Sequence, residues 1–231
     1  MYFFALAADF DGTIAHDNAV DDATYRALKA LKESGRRLIL VTGRELRDLQ
    51  KVFPGHGIFD RIVTENGAVI YDPATQRERT LAPPPPAHFV EVLKQRKVKP
   101  LSVGRCIVAT WEPNEKIILE IIRDLGLELQ IIFNKGAVMV LPAGINKAAG
   151  LLAALQDLGL SPHNTVGVGD AENDYAFLKA CGCSAAVANA LPALKEAVDI
   201  VLHGERGAGV IELIGRILRG DAQLIPAGRR V

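Results

Sequence analysis

The sequence predicts an α/β protein: a parallel-sheet core covered by helices on both faces, carrying a smaller inserted α/β unit. Three observations lead there. Short apolar runs alternate with amphipathic segments along most of the chain, the pattern left by strands buried on both faces. Those runs end in clusters of Asp, Gly and Thr, and sites in parallel sheets lie beyond the carboxyl ends of strands. Finally, Pro83-Pro84-Pro85-Pro86 interrupts the alternation; four prolines suit neither a helix interior nor a central strand and favour a stiff connector.

Phe4 to Phe10 reads as the first buried strand. Asp21 and Asp22 open a helix with Ala27, Leu28 and Leu31 on one face and Gly35 as its stop. Arg37 to Val41 is the second strand, and Thr42-Gly43-Arg44 stands where a helix is expected to start. Arg61 to Thr64 and Ala68 to Tyr71 read as a hairpin hinged at Asn66-Gly67. Beyond the prolines come a helix (His88 to Lys97), an extended run (Leu101 to Thr110), a helix (Asn114 to Leu125, stopped by Gly126) and a hairpin turning at Asn134-Lys135-Gly136. Pro142-Ala143-Gly144 marks the exit. The expected division is 1–82 and 144–231 for a Rossmann-like core and 83–143 for the insert.

Asn146 then caps a helix with Leu151, Leu152, Leu155 and Leu158 on one side, ending at Gly159. Thr165 to Gly169, Ser184 to Ala188 and Ile200 to Leu202 read as strands. Asn173 to Ala180, Pro192 to Ala197 and Ala208 to Leu218 read as helices, with a frayed tail after Arg219.

Composition narrows the function. Apolar residues make up 49% of the 231 and charged residues 23%, enough apolar surface for a real core. Lys plus Arg and Asp plus Glu number 27 each, so no net basic charge favours nucleic acid or an anionic membrane. Three cysteines give no disulfide framework and read as small buried residues of a reducing compartment. The apolar N-terminus lacks a basic flank and soon meets Asp9 and Asp11, unlike a secretion signal. A soluble, cytoplasmic protein is expected.

Four polar clusters stand at strand or helix ends. Asp9-Phe10-Asp11-Gly12-Thr13 places two carboxylates at a strand exit, with Gly12 free to make the turn; a plain Asx turn, or the Asp-x-Asp metal site of glycosyltransferases, has the same look. Thr42-Gly43-Arg44 offers a hydroxyl and backbone N–H groups to an anion, or simply a helix cap. Lys147 sits in the first turn of its helix, opposed by the helix dipole unless an anion lies near. Gly169-Asp170-Ala171-Glu172-Asn173-Asp174 carries oxygen ligands that suit Mg²⁺, or caps a helix. Neither a dinucleotide fingerprint nor a Walker A segment is present.

Taken together and in order, these clusters resemble the four motifs of the haloacid dehalogenase superfamily of phosphohydrolases. Asp9-Phe10-Asp11-Gly12-Thr13 matches the first, Thr42 the second, Lys147 the third and Gly169-Asp170-x-x-Asn173-Asp174 the fourth. Only 28 residues lie between Thr13 and Thr42 but 102 between Arg44 and Lys147, which resembles the family's C2-type cap arrangement. Glu65-Asn66-Gly67-Ala68 is similar to the segment before the cap in the Cof-like branch. The short insert is closer in size to archaeal-type phosphoglycolate phosphatases and to sucrose- and mannosylphosphoglycerate-phosphatase relatives.

The resemblance implies an aspartyl-phosphate on Asp9, with Asp11 protonating the leaving oxygen and then taking a proton from water. Crowding by other carboxylates would hold the proton that Asp11 donates. Mg²⁺ would be held by Asp9, Asp11 (through its backbone carbonyl), Asp170 and Asp174, with Asp174 also orienting Lys147. Thr42, Gly43, Lys147 and Asn173 would hold the phosphate, and Arg44 and Asn66 would face the substrate. Where the superfamily's ion pumps carry threonine, this chain has Asp11, implying rapid hydrolysis. The expected partner is a small phosphorylated metabolite, with oligomeric state unreadable. A phosphotransferase or mutase, or a catalytically idle metabolite-binding module, are the alternatives. Specificity would rest on insert residues such as Arg105, Trp111, Asn134 and Lys135, though Trp111 also suits packing and Asn134-Lys135 a solvent turn.

Overall fold

The computed structural model describes residues 2–220 together with Leu224; the tail expected to fray lies, apart from Gly220 and Leu224, outside the described residues. The first stretch of chain forms β1 (Ala5–Asp9), α1 (Asp22–Glu33), β2 (Arg37–Val41), α2 (Leu46–Val52), β3 (Arg61–Thr64), β4 (Val69–Asp72) and β5 (Arg77–Thr80). A smaller unit follows: α3 (Ala87–Gln95), β6 (Ser102–Val103), β7 (Val108–Trp111), α4 (Glu115–Asp124), β8 (Leu129–Asn134) and β9 (Ala137–Pro142). The chain then returns through α5 (Lys147–Asp157), β10 (Thr165–Gly169), α6 (Tyr175–Ala180), β11 (Cys183–Ala186), α7 (Pro192–Ala197), β12 (Ile200–Val201) and α8 (Arg206–Gly220).

Eight strands make the large sheet in the order β12-β11-β10-β1-β2-β3-β4-β5, parallel from β12 to β3 and antiparallel at β4 and β5. Every residue of β1 and β10 is buried, as the apolar runs 5–8 and 166–169 require. Sequential strands leave β1 in both directions, so right-handed crossovers put α1 and α6 on opposite faces. Accordingly α1 packs with α8, and α5 with α6. Leu28 and Leu31 of α1, Leu151 and Leu155 of α5, and Leu213 and Ile217 of α8 close one continuous core over the strands. The switch point between β1 and β10 therefore opens at Asp9 and Asp170.

The small sheet runs β6-β7-β9-β8, all antiparallel. Alternation along β9 explains why that strand is apolar throughout. Val138 and Val140 face Phe89, Leu93, Ile118 and Ile121 of α3 and α4, whereas Met139 and Leu141 meet Ala68 and Val69 of the large unit. One sheet face thus builds a private core and the other rests on the first unit.

Several sequence expectations are corrected. α2 starts at Leu46 behind Glu45, so Thr42-Gly43-Arg44 lies in a loop rather than at a helix N-terminus. The run from Leu101 to Thr110 is two strands, β6 and β7, separated at Gly104 to Ile107. Asn173 belongs to a 3₁₀ turn, Glu172–Asp174, and α6 begins only at Tyr175. Strand β5, Arg-Glu-Arg-Thr, is an exposed edge strand with no apolar residue to betray it. Leu152 is 44% exposed and does not share the buried face of Leu151 and Leu155. β3 and β4 do pair antiparallel, but through a 3₁₀ turn at Glu65–Gly67 rather than a two-residue hinge. There Gly67 has φ +107° and a Cβ would stand 1.9 Å from the Asn146 carbonyl oxygen. Only glycine lets this turn press against the start of α5. The three cysteines are buried, as expected. Among the described residues no helix is long and apolar enough to cross a membrane.

Candidate active site

Asp9 ends β1, Asp170 and Asp174 follow β10, and Lys147 opens α5, so three separate segments converge at the switch point. Lys147, 1% exposed, donates from Nζ to Asp9 Oδ1 and to Asp174 Oδ1, both at 2.6 Å. Burial works against its charge, but Asp174 and Asp9 overcome that and hold the ammonium well above its ordinary pKa. Burial and the Asp174 charge push Asp9 well above the usual carboxylate range, only partly countered by Lys147. Burial likewise raises Asp170, against the pull of Lys135. Such an acid-rich pocket with one buried ammonium lacks positive charge.

The residues present fit a divalent cation. Carboxylate oxygens of Asp9, Asp170 and Asp174 lie within 4.8 Å of one another. Asp170 Oδ1 is buried and has no hydrogen-bond partner among the described residues, an expensive state for a carboxylate unless a cation uses it. An all-oxygen set of this kind suits Mg²⁺. Asp174 is the most committed member: Oδ1 accepts from Lys147, and Oδ2 accepts from the backbone N–H groups of Asp170 and Ala171 at 2.8 and 3.0 Å. It shapes the loop as well as joining the cluster.

Asp11 stands apart from that cluster. Its side chain, 44% exposed, is gripped by Arg44, whose Nε and Nη2 donate to it at 2.7–3.1 Å. Carboxylate crowding, expected at Asp11, falls instead on Asp9 and Asp170. Gly12, next after Asp11, turns the chain with φ +80°, and a Cβ there would meet Asp170 Oδ2 at 2.2 Å. Arg44 also reaches Asp48 at 2.6 Å and Asn18. Burial opposes its charge, but Asp11 and Asp48 raise it further. Arg44 thus positions Asp11 while still bordering the cavity.

Thr42 is buried and its Oγ1 accepts the backbone N–H of Arg44 at 3.1 Å, which shapes the loop after β2. Asn173 Nδ2 donates to Asn66 Oδ1 at 2.9 Å, and a Cβ on Gly43 would stand 3.8 Å from the same Nδ2. Asn66 is fully buried, is not among the residues lining the cavity, and holds Asn173 through this hydrogen bond.

A cavity of about 780 Å³ opens from Asp9, Asp11, Gly43 and Arg44 towards the small unit, where Thr110, Trp111, Asn134, Lys135 and Met139 close it. Trp111, 53% exposed, is therefore a cavity wall rather than a packing anchor. Arg105 points elsewhere, pairing with Glu78 at 3.0 Å. Arg47 and Lys51 of α2 also line this cavity.

Two residues escaped sequence reasoning, and a third, Lys135, expected either to set specificity or to sit in a solvent turn, is ion-paired with Asp170. Asn189, just past β11, donates to the Gly12 carbonyl at 2.8 Å; its place after a parallel strand was the available signal. Glu65, 3% exposed, accepts the backbone N–H groups of Arg105, Cys106 and Ile107 at 2.7–3.1 Å, tying the β6–β7 turn to the large unit.

Comparison with known proteins agrees with this geometry. The haloacid dehalogenase-like hydrolase family matches residues 6–118 and 102–214. Phosphoglycolate phosphatase 2 of Saccharolobus solfataricus is 30% identical over 223 residues, covering 94% of this chain and 93% of its own. A HAD/COF-like hydrolase from Plasmodium vivax superposes with a TM-score of 0.81 at 19% identity, over 94% of this chain and 96% of that one. A subclass IIB sugar phosphatase of the superfamily gives a TM-score of 0.72 at 18% identity, over 93% and 98%. The fold is that of these hydrolases, with the small unit as the cap. Sequence, sheet order and the convergence of Asp9, Lys147 and Asp170 thus lead to one assignment: the chain belongs to the haloacid dehalogenase-like hydrolase family, as one of its phosphatases.

Proposed function

We propose that this phosphatase is a Mg²⁺-dependent phosphomonoester hydrolase of small phosphorylated metabolites, phosphoglycolate or a sugar phosphate, acting through an aspartyl-phosphate on Asp9. The observation that carries the reading is Asp9 itself: a carboxylate at the mouth of the cavity, fixed by Lys147 at 2.6 Å and flanked by Asp170 with its unpartnered oxygen. We take residues 1–82 and 144–231 as the catalytic core and 83–143 as the cap.

Asp9 and Asp170 would hold Mg²⁺, with the Asp11 backbone carbonyl as the family resemblance implies. Bound there, the ion neutralises carboxylates that would otherwise repel a phosphate dianion. Asp9 attacks phosphorus with its free oxygen, while Lys147 keeps the other oxygen still and lends its charge to the phosphoryl group. Gly43 and Asn173 border the phosphoryl position, and Thr42 fixes the loop that carries Gly43. Asp11, aimed by Arg44, takes the proton of the water that opens the aspartyl-phosphate. Donating a proton to the leaving oxygen in the first half-reaction requires it to turn from Arg44 as substrate arrives.

The leaving group faces the cap. Arg47 and Lys51 have no ion-pair partner among the described residues and border the cavity, so they are placed for a second anionic group such as a carboxylate. Trp111 and the cavity volume suit a sugar ring. The test is release of inorganic phosphate from phosphoglycolate, hexose phosphates and p-nitrophenyl phosphate, with and without chelator. Phosphate release that needs Mg²⁺ is expected. Isomerisation of hexose phosphates without phosphate release would instead establish a mutase.

A further inference from the structure

We propose that Lys135, at the tip of the β8–β9 hairpin, is a latch that exchanges with the divalent cation for Asp170, so that metal loading releases the cap tip from the acid cluster. This rests on the metal site proposed above. Asp9 and Asp174 share the buried ammonium of Lys147, whereas the ion pair of Asp170 comes from the cap. Lys135 Nζ pairs with Asp170 Oδ2, and its backbone N–H donates to Glu172 Oε2 at 3.2 Å, so one turn residue grips the loop after β10 twice. The turn is built for this: Lys135 has φ 47° and the following Gly136 φ 86°, a left-handed pair that bends the hairpin sharply. Gly12 leaves the room, since a Cβ there would stand 3.3 Å from the Lys135 ammonium.

The two ends of the pair differ in a way that favours exchange. The Asp170 side chain is 1% exposed, while that of Lys135 is 43% exposed and arrives from the cavity side. A divalent cation at Asp170 repels an ammonium on the same carboxylate and offers more charge, so the exposed partner leaves. Once released, Lys135 still lines the cavity, where its free charge meets an incoming anionic ester. Metal binding and substrate capture are then coupled through one side chain, and the coupling is reciprocal.

The test is Mn²⁺ affinity of the full chain without substrate, from electron paramagnetic resonance of free Mn²⁺. Lys135→Met is expected to bind Mn²⁺ about three- to tenfold more tightly than the unaltered protein, the range expected when one competing ion pair is removed. Lys135→Arg, which keeps the pair, stays within about twofold. Lys51→Met removes a cation of the same cavity that has no ion-pair partner among the described residues, and is expected to change affinity less than about twofold, which separates a contact from a general field. Unchanged or weaker binding by Lys135→Met, or equal tightening by Lys51→Met, overturns the latch. If the unaltered protein and Lys135→Met both fail to bind Mn²⁺, the metal site and the latch fall together, a result distinct from binding that ignores Lys135.

Discussion

Asp9→Asn is expected to reduce Mg²⁺-supported phosphate release from p-nitrophenyl phosphate by at least about a thousandfold, because the amide cannot attack phosphorus. The fold should not suffer. Asparagine keeps an oxygen in place to accept from Lys147, as Asp9 does at 2.6 Å. It also removes a carboxylate that burial, and then Asp174 and Asp170, drive well above its ordinary pKa. A group whose folded pKa is raised contributes stability below its unfolded value, and that contribution is lost as pH rises through the folded one. Ionising Asp9 in the metal-free protein is therefore a burden that grows as pH rises. Metal-free Asp9→Asn should melt at or above the unaltered protein near pH 7, read by calorimetry. Loss of activity with a lowered Tm would point to a structural role, and full activity would remove Asp9 from the chemistry.

The second large effect is expected at Lys147. Lys147→Met fills a similar volume but leaves Asp9, Asp170 and Asp174 crowded together without their buried cation. Removing one partner from a buried ion-pair network costs about 3–5 kcal/mol. Loss of its charge at the phosphoryl group should lower kcat by about 10²–10³. The two losses have different remedies. Mg²⁺ should recover much of the stability, since it supplies charge to the same carboxylates, but little of the rate. The sign of the pH dependence follows from Asp9 and Asp170, both raised by burial. Stability of the metal-free variant falls as pH climbs through their folded values, and the increment in Tm on adding Mg²⁺ grows over the same interval. An increment independent of pH would mean that these carboxylates do not receive the ion.

Much of this arrangement is legible without coordinates because of how parallel sheets bury their strands. Ala5–Asp9 and Thr165–Gly169 are buried on both sides, so 5–8 and 166–169 each read as a continuous apolar run whose next polar residue falls at the sheet's carboxyl edge. That edge holds Asp9 and Asp170, and the resemblance to a known family adds Lys147 and Asp174. What stays hidden depends on partners far away in sequence. Lys135 looks like any turn lysine until the hairpin bends onto Asp170, and Glu65 looks like a loop acid until three N–H groups of the β6–β7 turn close on it. Asn66 has a partner just as distant: its position at a strand end suggests a substrate contact, and the tight Gly67 turn sets it, buried, against Asn173. Arg77–Thr80 carries no apolar residue because a solvent-facing edge strand needs none.

In the proposed reaction phosphorus passes through a covalent bond to Asp9, in a pocket whose negative charge is offset by Lys147 and a divalent cation. Its most direct test is to acid-quench the protein during turnover, reduce with borohydride and map the product by peptide mass spectrometry. An acyl phosphate on Asp9 is expected to yield homoserine at position 9. Homoserine at another carboxylate, or unmodified Asp9 under conditions of steady phosphate release, would contradict the account.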